Sequence, residues 1–329
     1  MAQLPRNIYE QQSANRRNTI LVMALFILFF GFLGFGFDYF ILGFWEEYPG
    51  GLHGTDFPFA TAGALLFGTI SAAWSLESGA KTVLSSAGAE PVVPGDPRYQ
   101  QLSNVVDEMT IASGLPRPQL YIIPDPDPNA FATGKDPQHA SVAVTQGLVD
   151  KLDRDELQGV IAHEMSHVRN YDIRTMTVVA ALIGAVMLLS EYGLRMMRFG
   201  GGRKRSSSSR GGGVGSAIFL VVWLVAMLLA PLIARILAMA VSRQREYLAD
   251  ASGAELTRNP GALAAALKKI DDAVDPTRSI KKGTAHLCIA DPLGGEANDR
   301  EGFLADFFAT HPPIARRITL LKAMAYQHV

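Results

Sequence analysis

Long apolar runs dominate the hydrophobic pattern of this chain. Two of them, residues 18–37 and 57–76, contain no charged residue. A helix rises 1.5 Å per residue, so about 20 residues span the roughly 30 Å hydrocarbon core of a bilayer. Two further apolar runs follow at 175–190 and 211–234. The alternative for the first run, a cleaved signal peptide, fits poorly because bulky aromatic residues follow it. The pattern predicts an integral membrane protein with two to four transmembrane helices.

The distribution of basic residues predicts the orientation of the first two runs. Arg6, Arg16 and Arg17 precede the first run, whereas residues 38–56 contain four acidic residues and no Lys or Arg. Loops rich in Lys and Arg stay on the cytoplasmic side of a membrane. The N-terminus and the chain after residue 77 are therefore predicted to be cytoplasmic.

The second pair of runs permits two arrangements. Their Gly/Ser-rich connection is strongly basic, so two spans would place it outside, against the positive-inside rule. If neither run spans, they form a helical hairpin packed on the domain or at the membrane surface. We favour the spanning hairpin and keep the other arrangement open. The basic residues of the connection are Arg195, Arg198, Arg203, Lys204, Arg205 and Arg210.

The remaining segments have the pattern of a small, mainly helical α+β domain. β-Branched runs bounded by Pro, Asp and Gly predict strands, and apolar residues at helical spacing predict helices. We expect strands at 118–123 and 141–149, a turn-rich loop between them, helices at 154–170, 261–272 and 313–325, and a loop around 283–303. The expected organisation is a membrane anchor (1–76), a first catalytic part (77–174), the apolar hairpin (175–234) and a second catalytic part (235–329).

Composition narrows the class of protein further. Thirty basic and 31 acidic residues give a net charge of -1, which does not suggest a nucleic-acid-binding protein. Cys288 is the single cysteine, which excludes an intramolecular disulfide framework and a four-cysteine zinc site. With 48% hydrophobic residues, the chain is too apolar for disorder over most of its length.

One motif on the helix predicted at 154–170 indicates metal chemistry. His163, Glu164 and His167 form the pattern HExxH. At about 100° per residue the two histidines lie one turn apart and about 40° around the axis, so both imidazoles can reach one ion. Glu164 projects beside them, where it can contact a water on the metal. The alternative, an amphipathic helix with two histidines by coincidence, is disfavoured by the rarity of the pattern.

A catalytic zinc ion needs a third protein ligand and one open position. The extended motif HExxHxxGxxH is excluded because Asn170 and Ile173 occupy its last two positions. Cys288 is possible but isolated. Glu246 is the better candidate, and Asp250, four residues later on the same helical face, is placed to orient a zinc-bound histidine. Spacing alone leaves a solvated charged helix equally plausible for this segment.

Four motifs in order then resemble one family. They are NAFATG (129–134), IAHEMSH (161–167), SRQREYLAD (242–250) and THPP (310–313). The combination closely resembles the HtpX-type membrane-bound zinc metalloproteases, which are related to the CAAX prenyl proteases. The resemblance implies a gluzincin-type domain with one Zn²⁺ per subunit, held by His163, His167 and Glu246, with Glu164 as general base.

The resemblance also suggests roles around the metal. His311 is expected to stabilise the oxyanion; the alternative is a helix start at Pro312–Pro313. Asp250 and Asn170 are expected to support the ligands. Asp172 could do the same; the alternative for Asn170 and Asp172 is that they simply end the helix. Arg317 could brace the site. Substrate is expected to add a strand along a sheet edge; the residues proposed to line that edge are Asn129, Ala132, Ser141 and Val142.

These expectations define a predicted function. The protein would cleave misfolded or unassembled membrane proteins on the cytoplasmic side of a bacterial inner membrane, as part of stress-responsive quality control. Its partners would be polypeptide substrates and the lipid bilayer, with no nucleic acid. The alternatives are a dedicated processing protease, for example for a prenylated C-terminus, and a non-enzymatic zinc-stabilised membrane scaffold. The sequence does not indicate the oligomeric state.

Overall fold

The computed structural model describes residues 8–42, 44, 47–48, 52–53, 56–199, 243–273, 279–280, 285–290 and 312–327. The chain divides into two compact units. The first comprises Met1–Thr19, Ser75–Ala181 and Ile236–Val329, and the second comprises Ile20–Trp74 and Leu182–Arg235. The first 19 residues thus group with the part that carries HExxH, although the sequence-based division places them with the membrane anchor.

The described elements are mainly helices. The helices are α1 (Ile8–Phe37), α2 (Phe59–Ser86), α3 (Gln100–Ser113), α4 (Gln146–Lys151), α5 (Arg154–Arg169), α6 (Asp172–Phe199), α7 (Arg243–Thr257), α8 (Pro260–Asp271) and α9 (Ile314–Gln327). The strands are β1 (Glu47–Tyr48), β2 (Leu52–His53), β3 (Glu90–Pro91), β4 (Gln119–Ile123), β5 (Ala130–Gly134) and β6 (Ala140–Thr145). Short 3₁₀ turns lie at Pro97–Tyr99, Pro137–His139 and Ala285–Leu287, and Asp38–Leu42 is a π-helical turn.

Two described helices are long and apolar enough to cross a membrane. The candidate spans are Gln12–Phe40 and Phe59–Ser86, and only 17% of the most apolar stretch of each is buried inside the protein. Large apolar side chains such as Ile20, Leu28 and Leu66 are more than half exposed. An apolar surface of this kind is typical of a helix that faces lipid. The first two predicted apolar runs lie within these helices.

A buried carboxylate just after α1 joins this helix to the start of α2. Asp38 accepts hydrogen bonds from the amides of Ala60 and Thr61, at 2.9 and 2.6 Å, and from the Thr61 hydroxyl. Anions are favourable at helix N-termini, where amide groups lack partners within the helix. Gly34 permits close approach here, because a Cβ atom would lie 2.7 Å from the Ala60 carbonyl oxygen. Asp38 therefore stabilises the start of α2.

Of the two later apolar runs, only the one at 175–190 lies among the described residues. The run at 175–190 lies within α6, and the side chains of Met176, Val179 and Ala180 are buried. Met176 and Ala180 belong to an apolar cluster of the first unit with Phe131 of β5. The start of this run thus packs in a protein core. The run at 211–234 lies outside the described residues, and the two arrangements of the hairpin stay predictions.

The first unit contains a four-stranded sheet with the order β3-β4-β6-β5. β4 and β6 are parallel, whereas β3 is antiparallel to β4 and β5 is antiparallel to β6. The outer position of β5 differs from the prediction that this segment is a loop. Ser141 and Val142 lie on β6, which is paired on both sides, so the expectation that they line a sheet edge is wrong.

The predicted strand at 141–149 ends early for a local reason. The Thr145 side chain accepts a hydrogen bond from the Leu148 amide and begins α4. Gly147 donates its amide to the Asp125 carbonyl, and a Cβ atom there would lie 1.9 Å from the Pro126 carbonyl oxygen. Glycine therefore allows the chain to turn directly from strand to helix.

Helix α5 is the central element of the first unit. A capping box begins it, in which Asp153 and Glu156 each accept a hydrogen bond from the other's backbone amide. It contacts α3, α7, α8 and β5 and is buried from Glu156 to Val168 except at Gln158, which is partly exposed. The motif face is buried as well as the apolar face, because α7 covers it.

Candidate metal centre

The HExxH histidines and a glutamate from α7 converge on one point. The rings of His163 and His167 lie with centroids 4.8 Å apart and nearly perpendicular planes. The Nε2 atom of each lies 3.6 Å from an oxygen of Glu246. One ligand atom from each residue lies within 4.8 Å of the other two, and all three residues are buried.

These distances fit a divalent ion. A separation of 3.6 Å is too long for a hydrogen bond. Ligand atoms about 2.0–2.1 Å from a tetrahedral zinc ion lie about 3.3–3.4 Å from one another, close to the observed spacing. Two imidazoles and one carboxylate also form a donor set typical of catalytic zinc. Cys288 is not part of this group, and its backbone pairs with Phe131 instead.

A glycine allows the two ligand-bearing helices to touch. A Cβ atom on Gly253 would lie 3.0 Å from the backbone nitrogen of His163 and 3.2 Å from its Cα. Glu246, Asp250 and Gly253 are spaced by four and three residues, so they share one face of α7. Gly253 was not among the predicted site residues, although a glycine within a helical pattern is a signal of close packing.

Asp250 and Arg317 fix the first histidine. Asp250 Oδ1 lies 3.0 Å from His163 Nδ1. Arg317 donates from Nε and Nη2 to the two Asp250 oxygens, at 2.8 and 2.7 Å, and from Nη1 to the Ile289 carbonyl. The Asp250 carboxylate beside Nδ1 favours a proton on that nitrogen, which leaves Nε2 for a metal. The supporting roles expected of Asp250 and Arg317 fit these contacts and stay predictions.

The electrostatic environment favours positive charge at the histidines. Burial would lower the pKa of His163, but the carboxylates of Asp250 and Glu246 outweigh it and raise this pKa to about 9. Burial would likewise raise the pKa of Asp250, but the Arg317 guanidinium lowers it to about 2. A divalent cation supplies the positive charge that this cluster favours.

The second histidine contacts Asp172, one of the two residues named as possible supports just past it. His167 Nδ1 lies 3.1 Å from Asp172 Oδ2, and this carboxylate raises the His167 pKa against the effect of burial. Asn170 is the C-cap residue of α5, and its carbonyl accepts a hydrogen bond from Asn15. The contacts therefore give Asp172, rather than Asn170, the role of holding His167.

Glu164 lies beside the three converging residues without belonging to them. Its side chain is buried, with 1% exposure, and burial raises its pKa. Its Oε2 atom has no hydrogen-bond partner among the described residues. A buried carboxylate with a raised pKa and a free oxygen is suited to accept and return a proton.

Comparison with known proteins identifies the family. The model of peptidase family M48 matches residues 97–325. This chain belongs to peptidase family M48. It is 42% identical over 322 residues to a protein named Protease HtpX homolog from Caldanaerobacter subterraneus subsp. tengcongensis, with 97% of this chain and 98% of the relative covered. A protein of the same name from Tropheryma whipplei is 41% identical over 328 residues, covering 97% and 99%.

The family confirms the resemblance predicted from the four motifs, and the protein is a membrane metalloprotease. A solved structure of Ste24p from S. mikatae is also similar, with a TM-score of 0.48 and 19% identity, covering 95% of this chain and 67% of that chain.

Among the described strands, β5 packs against α5, the helix that carries the HExxH motif. Antiparallel ladders alternate, so Ala130, Ala132 and Gly134 direct their backbone groups away from β6. The Ala130 carbonyl accepts from the Ile289 amide, and the Gly134 amide donates to the Thr177 hydroxyl. Ala132 lies between these two contacts.

Two other predicted site residues have different outcomes. The Asn129 side chain forms hydrogen bonds within the protein: Oδ1 accepts from the Ala130 amide, and Nδ2 donates to the Ala290 carbonyl at 3.3 Å. It therefore fastens the segment at 285–290 to β5, which differs from the predicted contact with substrate. His311 lies outside the described residues, and its expected role stays a prediction.

Proposed function

We propose that this metalloprotease is a zinc endopeptidase whose ion is held by His163, His167 and Glu246, with Glu164 as general base. The convergence of three buried donor atoms carries this proposal. The carboxylates of Asp250 and Asp172 support it, because each meets the ring nitrogen that faces away from the ion. Partners of this kind fix the orientation of a histidine ligand and increase its basicity.

The chemistry follows from the positions of these side chains. A bound zinc ion would polarise the scissile carbonyl and make a water molecule a stronger acid. Glu164 accepts a proton from the attacking water at its carboxylate and transfers it to the leaving amine. His311 is the proposed hydrogen-bond donor to the oxyanion. Arg317 is committed to Asp250, so it acts by holding His163 in place.

Replacing the proposed third ligand tests the metal site. Glu246→Ala removes one of three protein donors, so we expect purified protein to retain well under one zinc per chain and to lose proteolysis. Zinc content is measured by mass spectrometry after dialysis against a weak chelator. Glu255→Ala is the matched control, because Glu255 is an exposed carboxylate on the same helix. Unchanged zinc stoichiometry in Glu246→Ala would exclude Glu246 as a ligand.

We propose that substrate adds a strand at the outer edge of β5. The Ala132 carbonyl supports this, because it points away from β6 and can accept from an extended peptide beyond the segment at 285–290, which pairs with β5 at Phe131. Recognition through backbone groups would accept many sequences, as a protease of unfolded proteins requires.

Peptide N-methylation tests this mode of binding. We expect inhibition by a peptide to weaken about fivefold when an amide that pairs with β5 is methylated, since a hydrogen bond contributes about 1 kcal/mol. Methylation at the neighbouring amide should have little effect, because alternate amides of a strand point to opposite sides. Equal sensitivity at every position would contradict strand addition.

We propose that the catalytic unit faces the cytoplasm, where it cleaves misfolded or unassembled membrane proteins. The three arginines before the uncharged run at 18–37 and the acidic connection between the spans support this orientation. Proteins that fail to assemble in the membrane expose extended backbone close to the bilayer, within reach of an anchored protease.

Labelling of single cysteines tests the orientation. In a Cys288→Ser background, we expect Ser13→Cys to react with an impermeant thiol reagent only after the cytoplasmic side is opened. Asp56→Cys should react from outside, since it lies between the two candidate spans. Both positions are exposed on the protein. Labelling of both from the same side would contradict the proposed topology, and Ser207→Cys would distinguish the two arrangements of the hairpin.

A further inference from the structure

Side chains from the start of α1 hold the connection between α5 and α6. Gln12 donates to the Arg169 carbonyl at 2.9 Å. The Arg16 guanidinium lies 4.8 Å from the centre of the Tyr171 ring. Thr19 shares a hydrogen bond of 2.9 Å with Thr175. The connection follows His167 directly, so these contacts constrain the segment that leads away from a proposed metal ligand.

The connection adopts a backbone conformation that needs such support. Tyr171 has a φ of 60°, in the left-handed region that aromatic residues rarely adopt. Conformations of this kind persist only where surrounding contacts determine them. The Arg16 side chain packs over the Tyr171 ring and the Asn15 amide binds the preceding carbonyl, so α1 supplies two of these contacts.

Asn15 contacts the carboxylate that holds His167. Its Nδ2 donates to the Asn170 carbonyl at 2.8 Å and to Asp172 Oδ1 at 2.7 Å. The other Asp172 oxygen lies 3.1 Å from His167 Nδ1. Asn15, Asp172 and His167 are each at most 5% exposed. The two hydrogens of one amide thus fix both the chain at residue 170 and the plane of the Asp172 carboxylate.

The charged neighbour of this carboxylate lies farther away. Arg245 Nε is 3.6 Å from Asp172 Oδ1, beyond hydrogen-bonding distance and 0.9 Å farther than Asn15 Nδ2. Without the Asn15 amide, Asp172 Oδ1 would lose its short neutral donor and turn toward this guanidinium. The Oδ2 contact with His167 would then lengthen.

We propose that Asn15 is a positioning residue of the metal centre, acting through Asp172 on the imidazole of His167. The inference rests on the proposed zinc site. The start of α1 would then contribute to metal binding as well as to anchoring the protein in the membrane. The residue lies before the uncharged run at 18–37, on the same continuous helix.

Metal affinity in a pair of matched variants tests the proposal. Asn15→Leu removes the amide with little change of volume, and Gln12→Leu removes an amide from the same helix that binds a backbone carbonyl only. In the full chain in detergent, with zinc added against a competing chelator, we expect Asn15→Leu to bind zinc about 3- to 10-fold more weakly. Mutating partners of metal ligands typically costs about 10- to 100-fold, and Asn15 is one contact further away. Gln12→Leu should stay within about twofold of the parent.

A double-mutant cycle separates positioning from docking of the helix. In an Asp172→Asn background, we expect Asn15→Leu to have little further effect on zinc affinity, because the contact it supports is already changed. Cobalt substitution gives a second readout: the visible spectrum should shift in Asn15→Leu and not in Gln12→Leu. If Asn15→Leu does not fold, Asn15→Ser replaces it in the cycle.

Each outcome decides the proposal. Unchanged zinc affinity in Asn15→Leu, equal losses in Asn15→Leu and Gln12→Leu, or additive effects with Asp172→Asn would overturn it. His167→Ala is measured in parallel to separate this result from the metal site itself. If His167→Ala retains zinc, the proposed metal site is wrong. If His167→Ala loses zinc while Asn15→Leu keeps the zinc affinity of the parent, only the role of Asn15 is wrong.

Discussion

Glu164→Gln should retain zinc and lose proteolysis. The amide preserves the size of the side chain but cannot accept a proton, so we expect cleavage of an unfolded reporter such as casein to fall by about 10²–10⁴-fold. Zinc content should stay at the parent level, because Glu164 lies outside the group of converging donor atoms. Zinc quantification and an initial-rate assay on the same preparation measure both quantities.

Asp155→Asn is the matched control for this substitution. Asp155 is an exposed acidic residue in the first turn of the same helix, so its change should leave both quantities near the parent values. Full activity of Glu164→Gln would exclude Glu164 as the general base. Loss of zinc from this variant would instead indicate that Glu164 is a ligand, and it would favour a different assignment of the donor atoms.

Arg317→Met should produce the largest loss of stability among the variants considered. Arg317 is fully buried and donates three hydrogen bonds, two of them to Asp250. Methionine fills much of the volume but leaves the Asp250 carboxylate buried without its cation. Breaking one side of a buried ion pair typically costs about 3–5 kcal/mol. At roughly 2–4 °C per kcal/mol, the melting temperature should fall by roughly 6–20 °C.

Thermal unfolding of the purified protein in detergent measures this effect. Lys322→Met is the matched control, because Lys322 lies exposed on the same helix, and we expect it to melt within about 2 °C of the parent. Arg317→Met should also bind zinc more weakly, since Asp250 no longer holds His163 in a fixed orientation. A parent-like melting temperature for Arg317→Met would contradict the structural role assigned to this ion pair.

The local parts of the site were predictable from sequence. The predicted helix at 154–170 corresponds to α5, and the two histidines share its motif face because the helical period alone brings them together. Glu246 could be assigned as a ligand only through the family resemblance, since the spacing of its segment also fits an ordinary charged helix. Its position beside the histidines depends on the packing of α7 against α5 at Gly253, and a glycine in a helix does not tell which element it packs against.

The sheet edge was predicted less well, for a physical reason. Residues 124–134 are rich in Pro, Asp and Gly, which indicate a loop, yet β5 begins at Ala130. Its residues are buried at every position, so the alternation of an exposed strand is missing. Pairing with β6 and packing against α5 determine this strand, and both are tertiary contacts.

The supporting role of Asn15 was also outside the reach of sequence patterns. Asn15 and Asp172 are 157 residues apart, and each looks ordinary in its own segment. The hydrogen bond between them arises only when α1 docks on the connection after α5. Motif spacing therefore predicted the two histidines, whereas the contact of Asn15 with Asp172 emerged only from the fold.

The ion pair between Asp250 and Arg317 has a consequence for biosynthesis. The histidines are translated first, Glu246 and Asp250 follow, and Arg317 comes roughly 150 residues after His167. At about 5–20 residues per second, this interval lasts roughly 8–30 s. We therefore expect the support that Asp250 and Arg317 give to His163 to form only after α9 has been translated.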